Sequence, residues 1–192
     1  MILVIGSYGQ LALSFKKICP SSTKFLSSKN LNLLDTRNIY KNLKSHQPSY
    51  IFNFAAYNNV DNAEDDNRNI LINSTAIKVI AEYCNDMNIP FLHVSTDYVF
   101  DGLQGDYHEN DSTNPINKYG MAKLAGEFGI IQTNNLNKVR LFDKLAPYII
   151  ETKIAEDNSF VEIKFNEEAF TDVNNNDLLV GDFTLSIEQN GG

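Results

Sequence analysis

Short apolar, β-rich runs alternate with stretches of helical periodicity through the first 130 or so of 192 residues. That alternation restricts the fold more than any other property of the chain. Residues 2–5 (ILVI) end at Gly6 and read as a buried strand. Leu11, Phe15 and Ile18 follow at helical spacing and stop near Pro20. Residues 24–26 form a second, weaker strand pattern, and Thr36 is placed to cap a helix carrying Ile39 and Leu43 on one face. Residues 50–56 are apolar and β-rich, a third strand. Across residues 67–88, Ile70, Leu71, Ser74, Ile77, Ile80, Ala81 and Cys84 keep helical periodicity over about five turns. Residues 91–94 give a fourth strand, residues 98–115 a polar loop, and residues 119–131 a helix rich in small side chains. Such alternation predicts an α/β fold built of βαβ units, with right-handed crossovers and a parallel sheet covered by helices on both faces.

The grammar changes after about residue 134. Residues 159–165 (SFVEIKF) and 182–187 (DFTLSI) alternate polar and apolar side chains, and residues 172–177 make an Asn-rich turn between them. This is an antiparallel pattern. Charge divides at the same place. Residues 1–136 carry 11 basic and 13 acidic side chains, a net of −2, whereas residues 137–192 carry 5 and 11, a net of −6. We therefore divide the chain into residues 1–136, an incomplete nucleotide-binding unit, and residues 137–192, a β-rich tail. An acidic surface repels phosphate backbones, so nucleic acid is not an expected partner. Cys19 and Cys84 stand far apart and the three histidines are scattered, so no metal site is expected. The apolar run at the N-terminus is too short for a signal peptide and no run of about 18 apolar residues occurs, which makes the cytoplasm the expected location and a membrane an unexpected partner.

Three motifs carry chemistry. The first strand runs into GSYGQLA at residues 6–12, a GxxGxxA pattern between strand and helix. Gly6 permits a tight turn, Gly9 lets a pyrophosphate approach the backbone, and Ala12 allows close helix–sheet packing. In this context the pattern predicts a dinucleotide site and a Rossmann-like sheet. The second strand ends in Ser27, Ser28 and Lys29, with no carboxylate for the adenosine ribose, so the balance leans toward NADPH, with NADH open. Tyr119 and Lys123 form YxxxK, one helical turn apart on one face. An ammonium there lowers the phenol pKa and makes the tyrosine a proton donor near neutral pH. Ser95, Thr96 and Asp97 follow the fourth strand, at the carboxyl end where open α/β sheets bind ligands.

With these residues in place the chain resembles the extended short-chain dehydrogenase/reductases over residues 1–130, and within them the dTDP-4-dehydrorhamnose reductases. The segments that carry the resemblance are IGSYGQLA (5–12), NLLD (32–35), NFAAYNNVDNAE (53–64), INSTA (72–76), HVSTDYVFDG (93–102) and NPINKYGMAKLAGE (114–127). The resemblance implies NAD(P)H-dependent reduction of the 4-keto group of a nucleotide-linked deoxysugar in dTDP-rhamnose biosynthesis. It implies that Tyr119 donates the proton, Lys123 supports it, Thr96 polarises the carbonyl and Asp97 lies beside the substrate. Gly9, Gln10 and Leu11 would face the pyrophosphate, and Asp35 and Thr36 the adenine. Ala55, Ala56, Tyr57 and Asn58 would line the loop beside the cofactor. Ala12 stands for the family's last glycine, and Tyr57 for a usually smaller ring such as histidine.

Family members continue well past the YxxxK helix into a substrate domain, and the resemblance fades near residues 139–142 (VRLF). Residues 147–192 weakly resemble the opening strands of bacterial immunoglobulin-like repeats. A truncated or fused gene product is therefore one expectation, and impaired turnover with it. A non-catalytic NAD(P)-binding module and a nucleotide-sugar epimerase or dehydratase are the alternatives. Oligomeric state stays open, with a homodimer among the options.

Overall fold

The structure, a computed structural model, describes residues 1–105, 107–108 and 111–133, together with the backbone of four strands in the tail. Four parallel strands form the sheet: β1 (Ile2–Ile5), β2 (Lys24–Leu26), β3 (Tyr50–Asn53) and β4 (Phe91–His93). Their spatial order is β2-β1-β3-β4. Between them run α1 (Gln10–Phe15), α2 (Thr36–His46), α3 (Arg68–Ile70) and α4 (Ala76–Asp86). The long α5 (Lys118–Gln132) follows the loop after β4. In the tail, β5 (Ile149–Ile154) pairs antiparallel with β6 (Val161–Phe165), and β7 (Phe170–Thr171) with β8 (Asp177–Leu178). The parallel sheet, its helices and the antiparallel grammar at residues 161–165 agree with the sequence reading. Residues 139–142 and 182–187 lie outside the described residues.

Strand alternation builds two cores. Leu3 and Ile5 of β1, Ile51 of β3 and Phe91 of β4 face one side, where Ile39 and Leu43 of α2 and Ile77 and Ile80 of α4 cover them. Ile2, Val4, Tyr50, Phe52 and Leu92 face the other, where Ala12 and Phe15 of α1 cover them. Apolar side chains on both faces of every central strand are what a parallel sheet requires. Phe15 is fully buried and meets the rings of Phe25, Phe52 and Phe54 at centroid distances of 6.2, 5.5 and 5.8 Å. A helix of six residues cannot stand on propensity alone, so this aromatic contact holds α1 against the sheet.

Three expectations change in detail. The helix capped by Thr36 begins with it instead: Asp35 is the capping position and Thr36 is the first helical residue. The third strand stops at Asn53, and residues 54–56 leave the sheet. The long helix at residues 67–88 is interrupted by a π turn, Leu71–Thr75, between α3 and α4. Asn69 and Asn73 are buried there and Ile70 is 45% exposed. The inward row thus runs through Asn69, Asn73, Ile77, Ile80 and Cys84, and Ile70, Leu71 and Ser74 do not mark it.

Truncating Phe15 removes the main contact of α1. Phe15→Ala is expected to cost about 3–5 kcal/mol of unfolding free energy, whereas Leu13→Ala, at a position 48% exposed, costs under about 1 kcal/mol. Urea denaturation of both variants measures the difference.

Candidate active site

The turn at residues 6–9, the loop at residues 55–58 and the segment at residues 95–97 each follow a parallel strand and so share the carboxyl edge of the sheet. Gly6 closes β1 with φ +98°, a left-handed conformation that favours glycine. A Cβ there would meet the Ala55 backbone nitrogen at 2.6 Å, so the turn after β1 lies directly on the loop after β3. Gly6 and Ser7 both donate backbone N–H groups to the Leu26 carbonyl, at 3.0 and 3.1 Å, which ties the same turn to β2. Gly9 and Gln10 are exposed and Leu11 half-buried at the start of α1. A Cβ on Gly9 would meet only the Gly6 and Phe54 carbonyl oxygens, at 3.6 and 3.8 Å. The bare surface there faces away from the protein, as an approaching phosphate requires.

The loop after β3 is held by a side chain. Asn73 accepts from the Tyr57 backbone N–H and donates to the Tyr57 carbonyl, both at 2.9 Å, and donates again to Asn69 Oδ1 at 2.9 Å. Asn69 donates to the Lys118 carbonyl at 2.9 Å, at the first residue of α5. This chain of amides fixes Ala55, Ala56, Tyr57 and Asn58 relative to the helix that carries Tyr119. The Tyr57 hydroxyl donates to Asp66 at 2.8 Å, and Asp66 pairs with Arg68 at 2.6 Å. The Arg68 guanidinium lies over the Tyr57 ring, 5.7 Å from its centroid. Hydrogen bonds from Arg68 hold the Asp66 carboxyl well below the usual carboxylate range. The bulkier ring at position 57 thus has its own anchoring set, which the sequence reading did not include.

Thr96 and Asp97 begin a short 3₁₀ turn, Asp97–Val99. The Thr96 hydroxyl accepts from the Tyr98 N–H at 3.3 Å and donates to Asp97 at 3.2 Å. Helix α5 lies against this turn. Its Asn117 cap accepts from the Gly120 N–H at 2.7 Å. A Cβ on Gly120 would meet the Tyr98 carbonyl oxygen at 2.1 Å, so only glycine allows the approach. Tyr119 is buried and meets the Tyr98 ring edge to face at 5.6 Å. Lys123, 2% exposed, donates its ammonium to the Val94 carbonyl at 2.6 Å. Burial pulls the Lys123 pKa down to about 8, while the charge of Glu127 opposes that fall.

Four further polar residues lie beneath this surface. His93 and Asn53 are register partners on β4 and β3, and Asn53 Nδ2 lies 3.0 Å from His93 Nδ1. Burial, with the Lys123 charge adding to it, keeps the His93 pKa well below its usual value, so the ring is neutral. Ser95 donates to the buried carboxylate of Glu127. Sequence reasoning places Ser95 beside Thr96 and Asp97 at the strand end but gives no role to Asn53, Asn73, His93 or Glu127. The available signal was polar letters at positions that strand and helix periodicity turns inward. The remaining predicted residues stand apart. Asp35 accepts from Asn38 of its own helix at 2.7 Å and Thr36 follows it. The Ser27 hydroxyl donates to Asn30 at 2.8 Å, a local bond that commits it, and Ser28 and Lys29 are exposed. Among the described residues no group of three or more His, Cys, Asp or Glu side chains gathers, and no helix is long and apolar enough to cross a membrane.

Residues 1–141 match the family model described as the RmlD substrate binding domain. A protein of Sinorhizobium fredii named dTDP-4-dehydrorhamnose reductase is 34% identical over 137 residues, covering 69% of this chain and 46% of that protein. The solved structure of a dTDP-4-dehydrorhamnose reductase from Clostridium acetobutylicum superposes with TM-score 0.63 at 28% identity, covering 69% of this chain and 49% of the other. Another from Bacillus anthracis, solved in complex with NADP, gives TM-score 0.65 at 24% identity, covering 73% and 51%. This chain spans about half the length of the relatives it matches.

The buried bases make stability depend on pH. Lys123 binds its proton less tightly folded, at about 8, than unfolded, at 10.5. Between those values the unfolded chain holds more protons, so Lys123 contributes stability that rises with pH. Wild type should therefore gain on Lys123→Met as pH rises from about 8 to about 10.5. His93 acts at the acid end: its depressed folded pKa means stability is lost as pH falls through 6.5. Denaturant unfolding across pH measures both, with His93→Asn as the second comparison.

Proposed function

This chain belongs to the RmlD substrate binding domain family, and from that premise we propose that it carries the cofactor-binding and proton-donating half of an NAD(P)H-dependent reductase of a nucleotide-linked 4-keto-6-deoxysugar. The observation that supports this most is the packing of Tyr119 and Lys123 against the segment that carries Thr96 and Asp97, through Gly120 on Tyr98 and Lys123 on Val94. The bare Gly6–Gly9 turn and the loop at residues 55–58 fit a dinucleotide beside them. A reduced nicotinamide, when bound, supplies hydride to the carbonyl carbon. Tyr119 then delivers the proton to the carbonyl oxygen, completing a two-electron reduction of ketone to alcohol. Lys123 favours the ionised phenol that remains. Thr96 polarises the carbonyl once its hydroxyl turns away from Asp97, and Asp97 lies beside the sugar.

Gly9, Gln10 and Leu11 face the pyrophosphate in this reading, and Asp35 and Thr36 the adenine. Exposed Ser28 and Lys29 and the lack of a carboxylate after β2 favour NADPH, with NADH accepted. The nucleotide-bearing unit ends near residue 136 and the tail is separate, a division supported by the family match to residue 141 and by the antiparallel pairs beyond it. A cytoplasmic location suits this chemistry. A homodimer also belongs to the reading, with exposed Met121 and Phe128 of α5 as an apolar surface for it. A cofactor-binding module without turnover is the second reading.

Titration of NADPH and NADH fluorescence is the first test, with saturation in the micromolar range expected and NADPH the tighter. Turnover is tested by NADPH oxidation with dTDP-4-keto-6-deoxymannose. Tyr119→Phe should lower any rate above background by about 10²-fold or more, and equal rates in both proteins rule out catalysis by this chain.

A further inference from the structure

The proposed role of Lys123 raises an electrostatic question. An ammonium 2% exposed cannot stay charged without compensation. The groups around it answer unequally. The Val94 carbonyl accepts one of its protons at 2.6 Å. His93, on β4, faces it as a neutral ring. Tyr119 precedes it by one helical turn. Glu127 follows it by one turn on the same helix, is buried at 6% exposure, and is the one acidic group among the described residues whose charge acts on Lys123. The Glu127 carboxylate is held in turn by the Ser95 hydroxyl, the residue next to Thr96.

We propose that Glu127, fixed by Ser95, is the buried countercharge that keeps Lys123 protonated, and so a positioning residue for the Tyr119–Lys123 pair. Burying a carboxylate is costly, and a hydrogen bond that favours its ionised form offsets part of that cost. The Ser95 hydroxyl gives the carboxylate a fixed place beneath the site. Lys123 keeps its bond to the Val94 carbonyl, one helical turn from Tyr119. The Ser95–Glu127 bond also couples the two halves of the site, because Ser95 lies on the strand end that bears Thr96 while Glu127 lies on the helix that bears Tyr119.

This inference rests on the reductase reading only for its purpose; the electrostatics can be tested without cofactor. The chain is labelled at lysine Cε with ¹³C, and Lys123 is assigned by comparison with Lys123→Met. Its titration is then followed by NMR from pH 6 to 11. Wild type is expected to titrate near pH 8. In Glu127→Gln the midpoint should fall by about one pH unit, a tenfold loss of proton affinity. Glu127→Asp should recover part of the shift, and Ser95→Ala should show a smaller fall. A Lys123 midpoint that is unchanged in folded Glu127→Gln overturns the proposal. If Glu127→Gln does not fold, Ser95→Ala decides, and an unchanged midpoint there overturns it as well. NADPH titration at pH 7 and 9 is run on the same proteins. Loss of NADPH binding in wild type would count against the reductase reading alone, since the lysine titration stands without it.

Discussion

The Asn73 side chain does for the loop after β3 what strand pairing does for the strand itself. It satisfies both the N–H and the carbonyl of Tyr57. A loop that leaves a parallel sheet carries polar backbone into a half-buried setting, where unpaired groups are costly. Asn offers one acceptor and two donors at the end of a short stem, so it can match both backbone groups at once and still reach Asn69. The position of α5 follows from that contact, because Asn69 donates onward to the Lys118 carbonyl. The loop after β3 and helix α5 are thereby referenced to one pair of amides.

Parallel strands do the rest of the assembly. Their carboxyl ends share one edge, so residues far apart in sequence converge without any long-range design in the loops. The turn at Gly6 touches Ala55, Lys123 holds Val94, and Gly120 lies on Tyr98. The two cores beneath are apolar, but the layer between core and site is polar: Asn53, His93, Ser95 and Glu127 are all buried. Such a layer costs stability unless every member is matched. That layer lies beside Lys123, whose ammonium is buried in turn.

Much of this was legible in the sequence. Apolar runs of four or so residues identified β1, β3 and β4, and the glycine pattern and YxxxK lie at the two ends of the candidate site. What the letters hid were side chains whose polarity contradicts their location. Ile70 looks like core and is 45% exposed, while Asn69 and Asn73 look like surface and are buried. Periodicity scoring cannot find them, because their partners are backbone groups of a loop distant in sequence. The π turn hid for a related reason: it is set by tertiary contacts, not by propensity. At Ser27 the letters show a hydroxyl after β2 but not its local partner: it donates to Asn30, a turn contact that Asn at position 30 makes available.

The π turn at Leu71–Thr75 has a consequence for how this protein can vary. An α-helix advances about 100° per residue, and the wider turn accommodates one residue more than an α-helical turn would. The helix on either side therefore keeps two phases: one that aims Asn69 and Asn73 at the loop and α5, and one that seats Ile77 and Ile80 in the core. Substitutions along its outer surface leave both phases intact. Gain or loss of a single codon would rotate one half against the other and uncouple loop from core, so lineages carrying this site should vary in helix letters far more freely than in helix length.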